Sequence, residues 1–402
     1  MKEVSALKKV VYMDNAATTA VRPEVLAEVE RFFGIEYANP ASTYRFATFP
    51  YEELSEARIK VASALGAAKA DEIYFTSGGT ESDNWAVRGV ADANREKGRH
   101  IITTAFEHHA LLESCKNMEK HGCEVTYLLP DKHGYINPEQ VQAAIRPDTI
   151  LISVIFANNE IGTIQPIGEI GKIARKNGVV FHTDAVQAAG HIPIDVVGMN
   201  IDLCSISAHK FYGPKGAGAL YIRSGTKIDP LFFGGMQEGY KRAGTHNVPG
   251  IVGLGLALEL SVAEMEAETD RIVKLRNRLA NGILGSIPFT KLNGGPDVRL
   301  PGNVNISFRF IESELIINLL DFKGICASSG SACNSETLEA SHVLLAIGAS
   351  HEETNGTVRF SLGRYSTDED VDYVLETLPP IIEKLRNMSP LYEDFLKAKK
   401  QG

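Results

Sequence analysis

The stretch "IDLCSISAHKFYGPKG" (201–216) contains an apolar run, then an adjacent histidine and lysine, and then a glycine-rich turn. The run Ile201–Ser207 is typical of a buried strand, because it is short, apolar and bounded by turn residues. Lysine is mostly a surface residue. Lys210 at the end of a core strand therefore has two interpretations. It is either an ordinary surface lysine where a strand meets solvent, or a functional residue of a site.

Similar short apolar runs occur throughout residues 70–225. They are Ile73–Thr76, His100–Ala105, Glu124–Leu129, Ile150–Phe156, Val179–Thr183 and Ala217–Ile222. Their spacing leaves room for crossover helices, which is typical of a mostly parallel sheet with helices on both faces. We therefore predict an α/β fold with a mostly parallel central sheet. Ligands of such sheets bind outside the carboxyl ends of the strands, so we expect the site at that edge.

Composition and charge exclude several classes of protein. The chain has 402 residues, 44% of them hydrophobic and 23% charged. Its net charge is −9, so it gives no indication of the basic surface that binding to nucleic acid or to an anionic membrane would require. No apolar run has the length of a membrane span, and no signal-like apolar segment follows the first lysines. We expect a cytoplasmic protein with neither a nucleic-acid nor a membrane partner.

The cysteines are too few and too scattered for a disulfide framework. They are Cys115, Cys123, Cys204, Cys326 and Cys333. No pair has the C-x-x-C spacing of a zinc site. The neighbouring His108 and His109 would point in different directions on a helix and could not bind one metal ion together. The sequence therefore predicts no metal site.

Polar segments follow successive apolar runs. They read "SGGTES" (77–82), "EHHA" (107–110), "NNEIG" (158–162), "DAVQ" (184–187) and "SAHK" (207–210). Each alone is a common connector. Together they bring a glycine-rich turn, an imidazole, amides, a carboxylate and an amine to one edge of one sheet. Chance is the poorer explanation of this convergence, and a single site the better one.

The residue types at this edge match one cofactor. Gly79 and Thr80 would begin a helix, and a helix start is a ready phosphate site. Neither a Walker loop nor G-x-G-x-x-G is present, which favours a cofactor smaller than a nucleotide. Asp184 and Lys210 each follow a strand and provide a carboxylate for a pyridine nitrogen and an amine for an aldehyde. We therefore predict pyridoxal 5'-phosphate, with Lys210 bound to its aldehyde carbon.

Longer segments extend the comparison to nearly the whole chain. They are "YMDNAATT" (12–19), "SGGTESDN" (77–84), "EHHALLE" (107–113), "NNEIGTIQPI" (158–167), "HTDAVQAAG" (182–190), "SAHKFYGPKGAGALYI" (207–222), "RAGTHNVPGIVG" (242–253), "SSGSAC" (328–333) and "VRFSLGRY" (358–365). They resemble the NifS/IscS-type cysteine desulfurases, in the class V aminotransferase group with pyridoxal phosphate fold type I. The resemblance implies that L-cysteine is converted to L-alanine. Its sulfur would pass to an enzyme cysteine as a persulfide and then to an acceptor, such as an iron–sulfur scaffold or another thio-cofactor pathway.

The resemblance implies a role for each candidate residue near the cofactor. Lys210 is the Schiff-base lysine, and Asp184 is the partner of the pyridinium nitrogen. Gln187 bonds the ring oxygen, and His108 stacks on the ring and assists proton transfer. The implied phosphate contacts are Gly79, Thr80, Ser207 and His209.

The remaining implied roles concern the substrate, the partner subunit and sulfur. Asn159, which also contacts the cofactor, and Arg359 would hold the substrate carboxylate, for which the planar guanidinium is well suited. Thr245 would reach the phosphate of the other subunit, which implies a homodimer. Cys333 would be the persulfide carrier, on a mobile loop.

The sequence departs from the family at Tyr44 and Ala47, where histidine and glycine are usual, and at Asn334, where threonine is common.

Other functions on this scaffold stay open at this point. An aminotransferase would not need Cys333, whereas a selenocysteine lyase could use nearly the same site. A non-catalytic sulfur-transfer scaffold is a third possibility, against which the intact Lys210, Asp184 and Cys333 count.

The chain is predicted to form two domains. Residues 15–260 would form the large cofactor-binding domain, and residues 1–14 and 261–402 a smaller α/β domain that carries the Cys333 segment. Residues 261–284 are predicted to be one long amphipathic helix. Ser366 is predicted to be the N-cap of a later helix.

Overall fold

The computed structural model describes residues 10–329 and 340–401. Its strands, in chain order, are β1 (Val11–Tyr12), β2 (Ile73–Thr76), β3 (His100–Thr104), β4 (Glu124–Leu128), β5 (Thr149–Ser153), β6 (Val180–Asp184), β7 (Leu203–Ser207), β8 (Gly218–Ile222), β9 (Thr290–Leu292), β10 (Asn303–Phe308), β11 (Ile325–Cys326), β12 (Ser328–Ser329) and β13 (Thr357–Ser361). Its α-helices are α1 (Pro23–Gly34), α2 (Thr48–Leu65), α3 (Gly79–Ala93), α4 (His109–Lys120), α5 (Pro138–Ala144), α6 (Ile167–Asn177), α7 (Val248–Ala263), α8 (Met265–Ser286), α9 (Ser313–Asp321), α10 (His342–Ala346), α11 (His351–Asn355), α12 (Asp368–Asn387) and α13 (Pro390–Gln401).

A seven-stranded sheet forms the centre of the molecule, in the order β2-β8-β7-β6-β5-β3-β4. All seven predicted apolar runs contribute a strand to it. Strand β8 is antiparallel to both of its neighbours, and the other pairs within β7-β6-β5-β3-β4 are parallel. The prediction of a mostly parallel central sheet is therefore confirmed.

Helices cover both faces of this sheet. Ile101 and Ile102, neighbours on β3, lie in two different apolar cores because successive strand side chains point to opposite faces. One core contains side chains of α3 and α4, and the other contains side chains of α1, α2, α6 and α7. Burial on both faces explains why these strands are continuous apolar runs in the sequence.

A second, antiparallel sheet has the order β12-β13-β10-β9. It packs against α8, α9 and α12 around a separate apolar core, which also contains Val11 and Met13. Strand β1 pairs in parallel with β11. Val343 and Leu344 of α10 pack instead into a core of the larger sheet. The proposed domain boundary at residue 260 stays a prediction.

The long helix predicted for residues 261–284 is present as α8, but its predicted start is wrong because residues 261–263 end α7. The chain bends by 72° between α7 and α8, and the break lies at Glu264. Two arginines from distant parts of the chain bind the Glu264 carboxylate. Arg22 donates two hydrogen bonds of 3.0 Å, and Arg364 donates another. Within the described residues no single helix is long and apolar enough to cross a membrane, and α7 with α8 reaches that length only as this bent pair.

The predicted cap of the C-terminal helix is displaced by one residue. The N-cap of α12 is Thr367, whose hydroxyl accepts from the backbone N–H of Asp370 while the Asp370 carboxylate accepts from the Thr367 N–H. This reciprocal pair satisfies two N–H groups at the helix start. The hydroxyl of Ser366 instead accepts from the N–H of Gly363.

Candidate active site

The carboxyl ends of β2, β3, β5, β6 and β7 meet at one edge of the large sheet, beside a cavity of about 320 Å³. Ten of the twelve predicted site residues line this cavity. They are Gly79, Thr80, His108, Asn159, Asp184, Gln187, Ser207, His209, Lys210 and Arg359. Strand ends that are far apart in sequence thus bring their polar side chains to one place.

Lys210 ends a short 3-10 turn, Ala208–Lys210, that directly follows β7. Its ammonium donates hydrogen bonds to the backbone carbonyls of Ala16, at 2.7 Å, and Ala17, at 2.8 Å. The turn thus aims the amine across the cavity towards the N-terminal segment. Gln187 donates to the same Ala16 carbonyl at 2.9 Å and retains a second N–H on its amide.

Two buried carboxylates, those of Asp83 and Asp184, line the cavity. Asp184 is the last residue of β6 and accepts a hydrogen bond of 2.9 Å from the backbone N–H of Val186. Burial raises the pKa of Asp184, while that N–H and the charge of Lys210 oppose the rise. Asp83 of α3 has its pKa raised well above the usual value, by burial and then by the charge of Asp184. The Val186 N–H and the Lys210 charge favour ionisation of Asp184, so we expect the proton of the pair on Asp83.

Asp83 was not among the predicted site residues, although the sequence contains a signal for it. It lies three residues after Thr80 and four after Gly79, so it shares their face of α3. The ring nitrogen Nε2 of the buried His182 lies 3.7 Å from Asp83 Oδ1.

His108 is the N-cap of α4, and its Nδ1 accepts a hydrogen bond of 3.1 Å from the N–H of Ala110. Burial lowers the pKa of His108 to about 4, helped by the charge of Lys210. The ring is therefore neutral near pH 7 and carries its proton on Nε2. The cap fixes the orientation of a flat, neutral ring at the cavity wall.

The first turn of α3 leaves backbone N–H groups without partners in the helix, as every helix start does. Gly78, just before it, has φ +151°, and a Cβ on Gly79 would lie 2.7 Å from the Val186 side chain. Glycine therefore permits the positive φ at Gly78 and the close packing of the helix start at Gly79 against Val186. Ser207 and His209 add a hydroxyl and an imidazole, and burial lowers the pKa of His209 to about 4.

These groups fit pyridoxal phosphate. The helix start and the two polar side chains suit the phosphate, Asp184 suits a protonated ring nitrogen, and the Lys210 amine suits the aldehyde. The flat His108 ring completes one wall of the cavity.

Arg359 lies in the middle of β13, where its side chain is only 2% exposed. One terminal nitrogen, Nη1, donates to the backbone carbonyl of Asn159 at 3.2 Å, and the other, Nη2, donates to Asp14 Oδ1 at 3.0 Å. The third nitrogen, Nε, is buried and has no hydrogen-bond partner. Asn158 shapes the loop that presents Asn159, because its side chain accepts from the N–H groups of Glu160 and Ile161.

Thr245 does not line the cavity of its own chain and is exposed. Its loop is held by Glu238, whose buried carboxylate accepts from Arg58 and His246. Burial opposes the ionisation of Glu238, but these hydrogen bonds outweigh it and lower its pKa to about 2. The loop is therefore firmly attached, and Thr245 is exposed on it outside the cavity of its own chain.

Cys333, with Asn334, lies outside the described residues. The other cysteines, Cys115, Cys123, Cys204 and Cys326, have their thiol pKa values raised by burial, and none of these four lines the cavity. They are poor candidates for a reactive thiolate. In residues 10–329 and 340–401 no group of three or more His, Cys, Asp and Glu side chains could hold a metal ion.

Comparison with known proteins gives consistent results. Residues 11–374 match the Aminotransferase class-V family. A cysteine desulfurase IscS of Methanosarcina thermophila is 58% identical over 97% of this chain and 96% of that protein. A cysteine desulfurase IscS of Clostridium botulinum (strain Hall) is 54% identical over 98% of this chain and 100% of that protein.

Solved structures agree with the sequence relatives. A NifS-like protein superimposes with a TM-score of 0.88 and 38% identity, covering 94% of this chain and 100% of its own. A structure described as SspA in complex with cysteine has a TM-score of 0.79 and 38% identity, covering 89% and 99%. The fold class and the resemblance carried by the motifs are thereby confirmed. The chain belongs to the class V aminotransferase family, among its pyridoxal-phosphate-dependent cysteine desulfurases.

Proposed function

We propose that this enzyme removes sulfur from L-cysteine, releases L-alanine and keeps the sulfur as a persulfide on Cys333. The observation that carries the proposal is the single cavity lined by Lys210, Asp184 and Arg359. An amine, a buried anion and a buried guanidinium are the groups that a cofactor aldehyde, a ring nitrogen and an amino-acid carboxylate each require.

The residues of the cavity divide the chemistry among them. When bound, pyridoxal phosphate stabilises the negative charge that develops at the substrate α-carbon. Asp184 would hold a proton on the ring nitrogen, Arg359 would bind the substrate carboxylate, and the Lys210 amine would accept the substrate α-proton. The neutral His108 ring, fixed by its cap, assists proton movement on one face.

The sulfur step belongs to Cys333 in this proposal. Its thiolate attacks the substrate sulfur, so a sulfur–sulfur bond forms as the substrate carbon–sulfur bond breaks. The β-carbon takes up a proton, the α-carbon regains one from Lys210, and alanine leaves. A thiolate is required for this attack, because the thiol is a much weaker nucleophile.

Product analysis tests the proposal. The purified enzyme is incubated with L-cysteine and a thiol reductant, and alanine and released sulfide are measured together. We expect equal amounts of alanine and sulfide. A keto acid as the main product would indicate an aminotransferase instead and would overturn the proposal.

Asp184→Asn is expected to lower turnover by two or more orders of magnitude, because an amide provides no negative charge for the protonated ring nitrogen. Asp83→Asn is the matched control. Since Asp83 holds the proton of the pair, an amide there preserves the charge of the site, and most activity should remain. Steady-state rates and the cofactor absorbance check both variants. Equal losses in the two variants would show that the assignment of charge within the pair is wrong.

We further propose that the enzyme is a homodimer in which Thr245 of the partner subunit contacts the phosphate. The loop that carries Thr245 is anchored by Arg58 and Glu238, and large apolar side chains beside it are exposed. These are Phe232 (45%), Phe233 (84%), Met236 (67%) and Tyr240 (67%). An interface on this surface would bury those side chains and bring Thr245 to a second cavity.

Mixed dimers test whether Thr245 acts across the interface. Thr245→Asp should be inactive because a carboxylate repels the phosphate, and Lys210→Ala should be inactive for lack of its amine. Refolded together, the two variants form some dimers with one intact site, which combines Lys210 of one chain with Thr245 of the other. We therefore expect activity to return on mixing. No recovery, despite mixed dimers detected by mass spectrometry, would show that Thr245 does not act in trans.

The acceptor of the Cys333 sulfur is proposed to be a protein, such as an iron–sulfur scaffold. Trapping of persulfide-dependent complexes from a cell extract would identify it. A cytoplasmic location is part of the same proposal.

A further inference from the structure

The N-terminal segment 13–17 connects the two ends of the cavity. Its backbone is joined to Ser361 of β13, since the Ser361 N–H donates to the Met13 carbonyl at 2.7 Å and the Ala16 N–H donates to the Ser361 hydroxyl at 2.9 Å. Farther along, the Ala16 and Ala17 carbonyls accept from Lys210. The segment is therefore held between the strand that carries Arg359 and the turn that carries Lys210.

Asp14 is the charged residue of this segment. Its Oδ1 accepts from Arg359 Nη2 at 3.0 Å, and its Oδ2 accepts from the hydroxyl of Ser328 at 3.3 Å. Arg359 lines the cavity, whereas Asp14 does not. The Asp14 carboxylate thus contacts the guanidinium from outside the space that a substrate would enter.

A guanidinium recognises a carboxylate through the fixed directions of its N–H groups, so its plane must be set before the substrate arrives. Two acceptors set that plane here, the Asn159 carbonyl on Nη1 and Asp14 Oδ1 on Nη2. Only the second carries a charge. Removing the anionic partner of a buried cation is strongly destabilising, because the charge left behind is uncompensated.

We propose that Asp14 is a positioning residue for substrate recognition, which holds the Arg359 guanidinium in the orientation that binds the carboxylate of the amino acid. The inference rests on the proposed role of Arg359. It assigns to Asp14 no contact with the reacting atoms.

The test compares a substrate that has a carboxylate with an amine that lacks one. For the holoenzyme of each variant, the KM for L-cysteine is measured, and the binding of cysteamine is followed by the absorbance of the bound cofactor. Asp14→Ala should raise the KM for L-cysteine roughly tenfold or more, the usual effect of losing a hydrogen bond between charged groups, with a smaller effect on kcat. Cysteamine binding should stay unchanged. Asp14→Asn keeps an acceptor for Arg359 but removes the charge, so it should restore only part of the affinity for L-cysteine.

Tyr12→Phe is the matched control for a purely structural effect. The Tyr12 hydroxyl donates to the backbone carbonyls of Asp14, at 3.1 Å, and Thr18, at 2.8 Å, so its loss loosens the same segment without removing the carboxylate. The thermal midpoint should fall, while the KM for L-cysteine should change little. If Asp14→Ala does not fold, Asp14→Ser removes the carboxylate and keeps a polar side chain.

The outcomes separate this inference from the proposed function. If Arg359→Ala does not weaken the binding of L-cysteine more than that of cysteamine, the proposed role of Arg359 is wrong, and the inference fails with it. If Arg359→Ala selectively weakens the binding of L-cysteine, but Asp14→Ala leaves the binding of both ligands unchanged or weakens both equally, the inference alone is overturned. A loss of affinity for L-cysteine but not for cysteamine, in both variants, supports the inference.

Discussion

Replacing Lys210 with alanine is expected to abolish turnover and to remove the absorbance of the covalently held cofactor. Lys210 is the one lysine among the described residues that line the cavity, and none of the others there has an amine that could bind the aldehyde. Loss of a group that acts within a catalytic unit typically costs several orders of magnitude in rate. The visible spectrum of the purified variant and an alanine assay with L-cysteine measure the two effects.

Lys215→Ala is the control for Lys210→Ala. Lys215 lies in the same loop but is exposed and does not line the cavity. Its replacement should leave the spectrum and the rate close to those of the parent enzyme. A normal cofactor spectrum in Lys210→Ala would mean that another residue holds the cofactor.

Replacing Cys333 with alanine should have an equally large effect on product formation but none on cofactor binding. Lys210 and the cofactor act on the α-carbon, whereas Cys333 acts only on sulfur. The variant should therefore keep its cofactor absorbance and still change it when L-cysteine is added, yet form almost no alanine and carry no persulfide. Absorbance titration, an alanine assay and mass spectrometry report these three properties separately.

Cys326→Ala is the matched control for the cysteine variant. Cys326 is half-buried on β11, where it pairs with Tyr12, and burial raises its thiol pKa. Its truncation should cost roughly 1–3 kcal/mol of stability with activity retained. If the two variants exchanged properties, the assignment of sulfur transfer to Cys333 would be wrong.

The central sheet could be predicted from the sequence because its strands are buried on both faces. Such strands are continuous apolar runs, and His100–Ala105 and Ala217–Ile222 each differ from the observed strand by one residue at one end. The edge at which the site lies followed from the same runs, since polar residues come directly after them. The individual roles came only from the resemblance, because many reactions could use an amine, an imidazole and a carboxylate.

What the sequence did not reveal depends on contacts between distant residues. The break at Glu264 is stabilised by Arg22, which lies 242 positions away, so helical periodicity alone continued the helix past it. Asp14 contacts Arg359 across 345 positions and follows no core strand of the large sheet. The shift of the N-cap from Ser366 to Thr367 has a local cause. Serine and threonine are both common N-cap residues, and only the hydrogen bonds show which of the two caps the helix.

Mass spectrometry of peptides from the enzyme after brief exposure to L-cysteine, with alanine counted in the same sample, tests the central claim most directly. We expect one added sulfur atom on the peptide that contains Cys333 for each alanine released in the first turnover, and none on the peptides of Cys115, Cys123, Cys204 or Cys326. Alanine without a persulfide, or a persulfide on one of those four cysteines instead, would contradict it.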